Sequence, residues 1–238
     1  MRPLTAADII TIWDRGQALH PLDRALLLLS YALPDAPPAD LRRLTVGQRN
    51  GRLLHLRQIT LGDALTALVV CPRCGERLEF ILAASQLLLP EPAAASHTIT
   101  LGQRQWQLRL PTSDDLAALA YSANIAHARQ QLIDRCVQPL DDGPPVAADV
   151  ALLAEIADFM ANADPQADMR FALACADCGH QWEALFDIVA FFWAELTAQA
   201  KRLLREVDQL ARAYGWREAE ILALSSQRRH AYLELIGA

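Results

Sequence analysis

Long apolar runs are missing from this 238-residue sequence. A membrane span needs roughly 18 consecutive apolar residues, yet the densest stretch, Ala25 to Leu29, is bounded by Arg24 and by the breaker Pro34. The start of the chain has no basic segment leading into an apolar one with a small-residue cleavage site, so the expectation is a protein without an export signal, located in the cytoplasm. Positive charge is also short: 22 Lys and Arg stand against 28 Asp and Glu, a formal net charge of −6. Affinity for phosphate backbones depends on clustered cations, which disfavours a generic nucleic-acid binder and leaves room only for a local basic patch. There is no glycine-rich phosphate loop, no GxSxG elbow and no kinase-type set. The expectation is that the protein is not an enzyme.

With 53% hydrophobic and 21% charged residues, the composition is that of an ordinary globular protein. The length suits one composite domain or two docked subdomains. Helical spacing of apolar residues predicts helices over Thr5–Arg15 and Pro21–Leu33, with Gly16 suited to end the first. Pro34 to Asp40 breaks the pattern, and a further helix is expected after Thr45, closed by Gly62. The period then changes. Ala64–Val70 and Arg77–Leu82 read as strands around Cys71-Pro-Arg-Cys-Gly75, and His97–Leu110 as a second hairpin around Gly102, with Trp106, Leu108 and Leu110 on its buried face.

Pro111-Thr-Ser-Asp-Asp115 carries a capping residue followed by acids suited to a helix dipole, predicting a helix to about Val137. The loop 138–145 leads to another helix near Ala147–Ala163, ended by Asp164-Pro165. Met169–Ala174 and Gln181–Phe186 then flank Cys175-Ala-Asp-Cys-Gly179, repeating the earlier strand, CxxCG turn and strand. From Val189 to Tyr214 apolar residues recur in steps of three and four, a long amphipathic helix with Gly215 as its C-cap, and two short helices split near Ser225 follow.

Five cysteines, four of them in two CxxC pairs, make a poor disulfide framework without an export signal and a good metal set. A tetrahedral zinc site takes four thiolates, and a CxxC turn presents two sulfurs to one side of an ion. The glycine after each pair suits a position needing positive φ, from which backbone amides can point at the sulfurs. Cys71, Cys74, Cys175 and Cys178 are therefore expected to hold one structural Zn2+ ion. A redox pair of the thioredoxin kind would need CxxC at a strand-to-helix junction, whereas both turns here continue into strands. A catalytic zinc would need an open position and a base, for which His180 is the one nearby candidate.

The fold class expected is α+β, predominantly helical: a zinc-ribbon core of two CxxCG knuckles, a long helical insertion, and N- and C-terminal helices. The expected boundaries are 1–62 for the N-terminal helices, 63–112 for the first knuckle and hairpins, 113–168 for the helical insertion, 169–187 for the second knuckle and 188–238 for the C-terminal helices. Cys136 is read as a buried core thiol. His20, His55, His97, His127 and His230 are scattered without ligand spacing, and Asp114 and Asp115 serve the helix start. Arg228-Arg229-His230 reads as a solvated face, or as half of a helix-turn-helix. Phe191, Phe192 and Trp193 are expected to lock the long helix onto the ribbon.

The C-terminal third, with Cys175-Ala-Asp-Cys-Gly-His-Gln-Trp182, Leu185-Phe-Asp-Ile188, Trp193-Ala-Glu-Leu196, Tyr214-Gly-Trp-Arg-Glu218, Ile221-Leu222, Arg228-Arg229 and Tyr232-Leu-Glu-Leu235, resembles the T-even-type phage baseplate hub assembly chaperone family. Gly47-Gln-Arg49, Leu53-Leu54, Leu56-Arg57, Cys71-Pro-Arg-Cys-Gly75 and Pro111-Thr-Ser-Asp-Asp115 add to the likeness. These are small proteins encoded beside the tail genes of contractile phages and of tail-like injection systems. The resemblance implies a non-catalytic assembly chaperone that binds hub, spike or tape-measure proteins. The alternative is a zinc-ribbon nucleic-acid or transcription-associated factor, with Arg202, Arg205, Arg212, Arg228 and Arg229 as its footprint.

Overall fold

Local chemistry sets where each helix begins. The computed structural model describes residues 1–91, 95–101, 104–122, 124–141 and 150–237. In α1 (Ala6–Gly16) the Thr5 hydroxyl accepts the Asp8 N–H while the Asp8 carboxylate accepts the Thr5 N–H, a reciprocal capping box. Pro21 pre-sets the first turn of α2 (Pro21–Ala32). The Pro34–Asp40 stretch, expected only to break the pattern, also starts a short helix, α3 (Pro38–Arg43), because proline is tolerated in a first turn. A second capping box, Thr45 with Gln48, opens α4 (Val46–Leu61), and Gly62 closes it at φ 98°.

Strands β1 (Ala64–Val70) and β2 (Arg77–Ala83) pair antiparallel with Val70 opposite Arg77, the register that places the CxxCG turn at the hairpin tip. A single turn, α5 (Ala84–Leu87), follows. Next, β3 (Ser96–Leu101) and β4 (Arg104–Arg109) pair as expected, although Gly102 lies outside the described residues. Trp106, Leu108 and Leu110 are buried.

The continuous helix expected from Ser113 to Val137 is instead two, α6 (Ser113–Leu119) and α7 (Ile125–Cys136). Asn124 caps α7 by accepting the His127 N–H, which competes with continuing the first helix. Val137–Pro139 then forms β5, which pairs with β4, so a strand stands where the expected helix was to give way to a loop. After α8 (Val150–Ala163), with residues 147–149 of the expected helix outside the described ones, a 3-10 turn over Pro165–Ala167 leads to β6 (Arg170–Ala174) and β7 (Gln181–Leu185). The 27-residue α9 (Ile188–Tyr214) ends at Gly215, φ 70°, and α10 (Glu218–Ala223) and α11 (Ser226–Gly237) fold back on it.

Two cores result. The larger joins Ile12 of α1, Leu28 and Leu29 of α2, Leu53, Leu54 and Leu56 of α4, Leu65 of β1, and Phe192, Leu196 and Ala200 of α9. The smaller joins the β3–β4–β5 sheet to α7 and α8 through Trp106, Leu108, Ile133, Cys136 and Ile156. Cys136 is thus a core thiol, as expected, and burial pushes it up to about 11. The mixed helix-and-sheet architecture agrees with the α+β expectation. Phe192 is fully buried, while Phe191 and Trp193 pack against the same core from its edge.

Gly16 ends α1, as expected, and it has a second role: a methyl group there would collide with the Trp193 ring. The indole, held under the Arg24 guanidinium at 4.5 Å, requires the bare backbone. Arg229 departs from its expected place on a solvated face. Its side chain is only 5% exposed, pairs with Glu206 at 2.8 Å and donates to the Leu224 carbonyl at 2.6 Å, tying α11 to α9.

Candidate metal centre

Each CxxCG turn is built in the same way. In the first, the Cys71 N–H donates to the Glu76 carbonyl at 2.8 Å and the Gly75 N–H to the Cys71 carbonyl at 2.9 Å. In the second, the Cys175 N–H donates to the His180 carbonyl at 2.8 Å and the Gly179 N–H to the Cys175 carbonyl at 3.0 Å. Gly75 and Gly179 stand at φ 77° and 67°, the left-handed region where a Cβ is strained. The chemistry that favoured glycine in the sequence is the chemistry that closes both turns.

The hairpins β1–β2 and β6–β7 are separate two-stranded sheets that present their tips to each other. All four sulfurs lie within 4.8 Å of one another. Across the tips, Cys71 and Cys178 Sγ are 3.7 Å apart, and Cys74 and Cys175 Sγ are 3.6 Å apart. Zn–S bonds of about 2.3 Å in a tetrahedron would put the sulfurs about 3.8 Å apart, so the donor set fits such an ion. Cys71 and Cys175 are buried, Cys74 is exposed and Cys178 is half-buried.

The sulfurs do not ionise independently. Desolvation opposes the Cys71 thiolate, but the amides of Cys74 and Arg73 and the thiols of Cys74 and Cys178 outweigh it and lower the group to about 7. The Glu76 amide favours the Cys74 thiolate, yet desolvation and the sulfurs of Cys178, Cys175 and Cys71 push it up to about 12. One anion therefore hinders the next. A divalent cation is the group that lets four such thiolates coexist.

Aromatic side chains brace the tips from below. Phe80 of β2 meets Phe171 of β6 edge-on at 6.2 Å, Phe171 meets Phe186 at 5.4 Å, and Phe186 meets Phe191 of α9 at 5.4 Å. This chain of rings connects both hairpins to the long helix. His180, the candidate base, stacks on Trp182 at 5.8 Å. Among the described residues the only group of His, Cys, Asp and Glu placed to hold a metal is the four cysteines, so the other histidines contribute none.

The arginines proposed as a nucleic-acid footprint are largely engaged. Arg202 and the buried Arg229 both pair with Glu206, and Arg212 pairs with Asp208. Sequence reading also missed an ionic cluster: Asp115, expected only to serve the helix start, is buried and takes Arg109 and Arg135 at 2.8 and 2.9 Å. Its signal in the sequence is weak, because Arg135 lies a full helix away. Asp114 remains exposed beside Arg42.

Fold and centre together define a mixed helix-and-sheet protein in which two hairpins converge on a four-thiol group able to take a metal ion. Residues 29–145, just under half of the chain, match the family model of the T4 bacteriophage base plate protein, so this segment is similar to that family. The matched segment contains Cys71 and Cys74 and ends before Cys175 and Cys178. No curated protein and no solved structure matches the chain. Among the described residues no helix is long and apolar enough to cross a membrane.

Proposed function

We propose that this protein is a non-catalytic assembly chaperone or accessory factor for the baseplate hub, pinned by one structural zinc ion and acting in the cytoplasm by binding other baseplate components. The observation that carries the reading is the meeting of two CxxCG turns, far apart in sequence, within a chain whose residues 29–145 match a base plate family. Cys71, Cys74, Cys175 and Cys178 would be the ligands. Bound there, the ion supplies charge neutralisation and a fixed geometry, and the chain holds the four sulfurs through the paired turn hydrogen bonds and the Phe80–Phe171–Phe186–Phe191 ring contacts. Hub, spike or tape-measure proteins are the partners in view, with the hairpins and the C-terminal helices as a rigid platform.

The test pairs metal with partner. Elemental analysis of the purified protein is expected to give one zinc per chain, and the Cys71→Ser/Cys175→Ser double variant is expected to lose it. Co-expression with hub, spike and tape-measure proteins, one at a time, is expected to give a complex with at least one of them. Zinc-free native protein would sink the metal half of the proposal, and failure to bind any of the three would sink the chaperone half.

A further inference from the structure

The four sulfurs are unequal in a way that a symmetrical metal-binding motif does not require. Cys71 and Cys175, the first cysteine of each turn, are 1% and 3% exposed, whereas Cys74 is open to solvent. An oxidant arriving from water meets Cys74 first. Two sulfur contacts run across the tips: Cys74 touches Cys175 at 3.6 Å and Cys71 touches Cys178 at 3.7 Å.

We propose that Cys74 is an oxidation site, and that a peroxide joins it to Cys175 across the two hairpins rather than to Cys71 within its own turn. This rests on the reading of the four cysteines as a single centre. In the first step the Cys74 thiol gives its proton to solvent and the thiolate attacks hydrogen peroxide; the O–O bond breaks, the departing hydroxide takes a proton back, and sulfenic acid and one water form. In the second, the Cys175 sulfur attacks the sulfenic sulfur, the S–O bond breaks and the oxygen leaves as a second water. Two thiols lose two electrons and two protons, and peroxide takes up both pairs. Where the sulfurs begin as thiolates, solvent provides the protons.

Geometry selects the partner. A disulfide is about 2.05 Å long, so joining Cys74 to Cys175 closes a gap of 3.6 − 2.05, about 1.6 Å, a distance side-chain torsions can cover. Joining Cys74 to Cys71 would instead rework a turn already fixed by the Gly75-to-Cys71 and Cys71-to-Glu76 hydrogen bonds. The cross-link consumes two of the four donors, leaving Cys71 and Cys178 too few to complete a tetrahedral set. It also spans 101 residues of chain. Oxidation therefore removes the metal-binding capacity while keeping the two hairpin tips fastened, unlike disulfides within the turns, which would free them to separate.

The experiment uses the full-length protein, with its metal content measured beforehand. It is treated with one equivalent of hydrogen peroxide, remaining thiols are blocked, and non-reduced peptides are mapped by mass spectrometry while a chromogenic chelator follows released metal. A dominant Cys74–Cys175 peptide, with Cys136 still a free thiol and metal released in step with the link, is the expected result. A dominant Cys71–Cys74 or Cys175–Cys178 peptide, or a Cys74 that stays reduced, overturns the proposal. In Cys175→Ser the link should vanish and a dimedone adduct should collect at Cys74; if that variant does not fold, the wild-type map decides alone. Cross-linking in protein that carried no metal would refute the metal reading and leave this proposal standing, whereas metal-bound protein that links within a turn would do the reverse.

Discussion

At Gly16 two small effects oppose each other. Alanine is the better helix former by up to about 1 kcal/mol, but its methyl would enter the space of the Trp193 ring, which is fixed beneath Arg24. Overpacking of this kind costs about 1–3 kcal/mol, so Gly16→Ala is expected to destabilise by about 1–2 kcal/mol in urea melts, with Trp193 fluorescence shifted as the ring is displaced. A stabilised variant would show that the α1–α9 contact is loose. Asp115 offers a second test. Burial opposes its charge, yet Arg109, the Thr112 amide and hydroxyl, and Arg135 hold its carboxyl well below the usual carboxylate range. A depressed folded pKa means the stabilisation is complete above the unfolded value of about 3.9 and is lost as pH falls below it. Asp115→Asn should cost about 2–3 kcal/mol at neutral pH, because both arginines are partly solvated and retain water. The gap between wild type and variant should narrow below about pH 4. A gap unchanged from pH 7 to pH 3 would remove the ionic cluster from the account.

At the scale of elements, α9 carries the longest unbroken pattern, and its end depends on one backbone conformation. Gly215 sits at φ 70° with its N–H donating to the Ala211 carbonyl, so Gly215→Ala is expected to cost about 1 kcal/mol and to fray the turn carrying Tyr214, which packs on Trp216 and Tyr232. Loss of near-ultraviolet dichroism from these rings would report it. Such features were legible in the sequence because they are local. The period of α9, the alternation of β1 and β2, the glycines at 62, 75, 179 and 215, and the two CxxC turns all state their geometry within a few residues. Less legible were features decided by distant neighbours. The break between α6 and α7 falls in Ala120-Tyr-Ser-Ala-Asn124, where no proline or glycine marks it and Asn124 acts only as a cap. Strand β5 is three residues long and exists because β4 offers an edge. Arg229 reads as a surface residue until Glu206, on another helix, is brought beside it. The convergence of Cys71 and Cys74 with Cys175 and Cys178 lay between these cases: the repeated turn suggested it, while only the packing of hairpins against α9 brings it about.

For the molecule as a whole, the question is how far stability depends on the proposed metal. Zinc-finger peptides are unfolded without their ion because they have almost no other core, but this chain has two. Leu53, Leu54, Leu56, Phe192, Leu196 and Ala200 are buried in one and Trp106 and Leu108 in the other, none of them at the four-thiol centre. The hairpins β1–β2 and β6–β7 differ, since each is a two-stranded sheet, and a lone hairpin is marginal in water. Removing the metal with a chelator under reducing conditions should therefore open the hairpin tips locally rather than unfold the chain. Hydrogen exchange is expected to accelerate at amides of β1, β2, β6 and β7, most of all near residues 70–77 and 174–181, while amides of α4 and α9 around the larger core remain protected. The Cys71→Ser/Cys175→Ser variant should show the same pattern without chelator. Equal loss of protection in α4, α9 and the hairpins would mean that the ion holds the two cores together, so that the ring contacts from Phe80 to Phe191 transmit its binding to the whole fold. Protection confined to its original level everywhere would mean that hydrogen bonds in the two turns, with the aromatic brace beneath them, position the sulfurs without any ion.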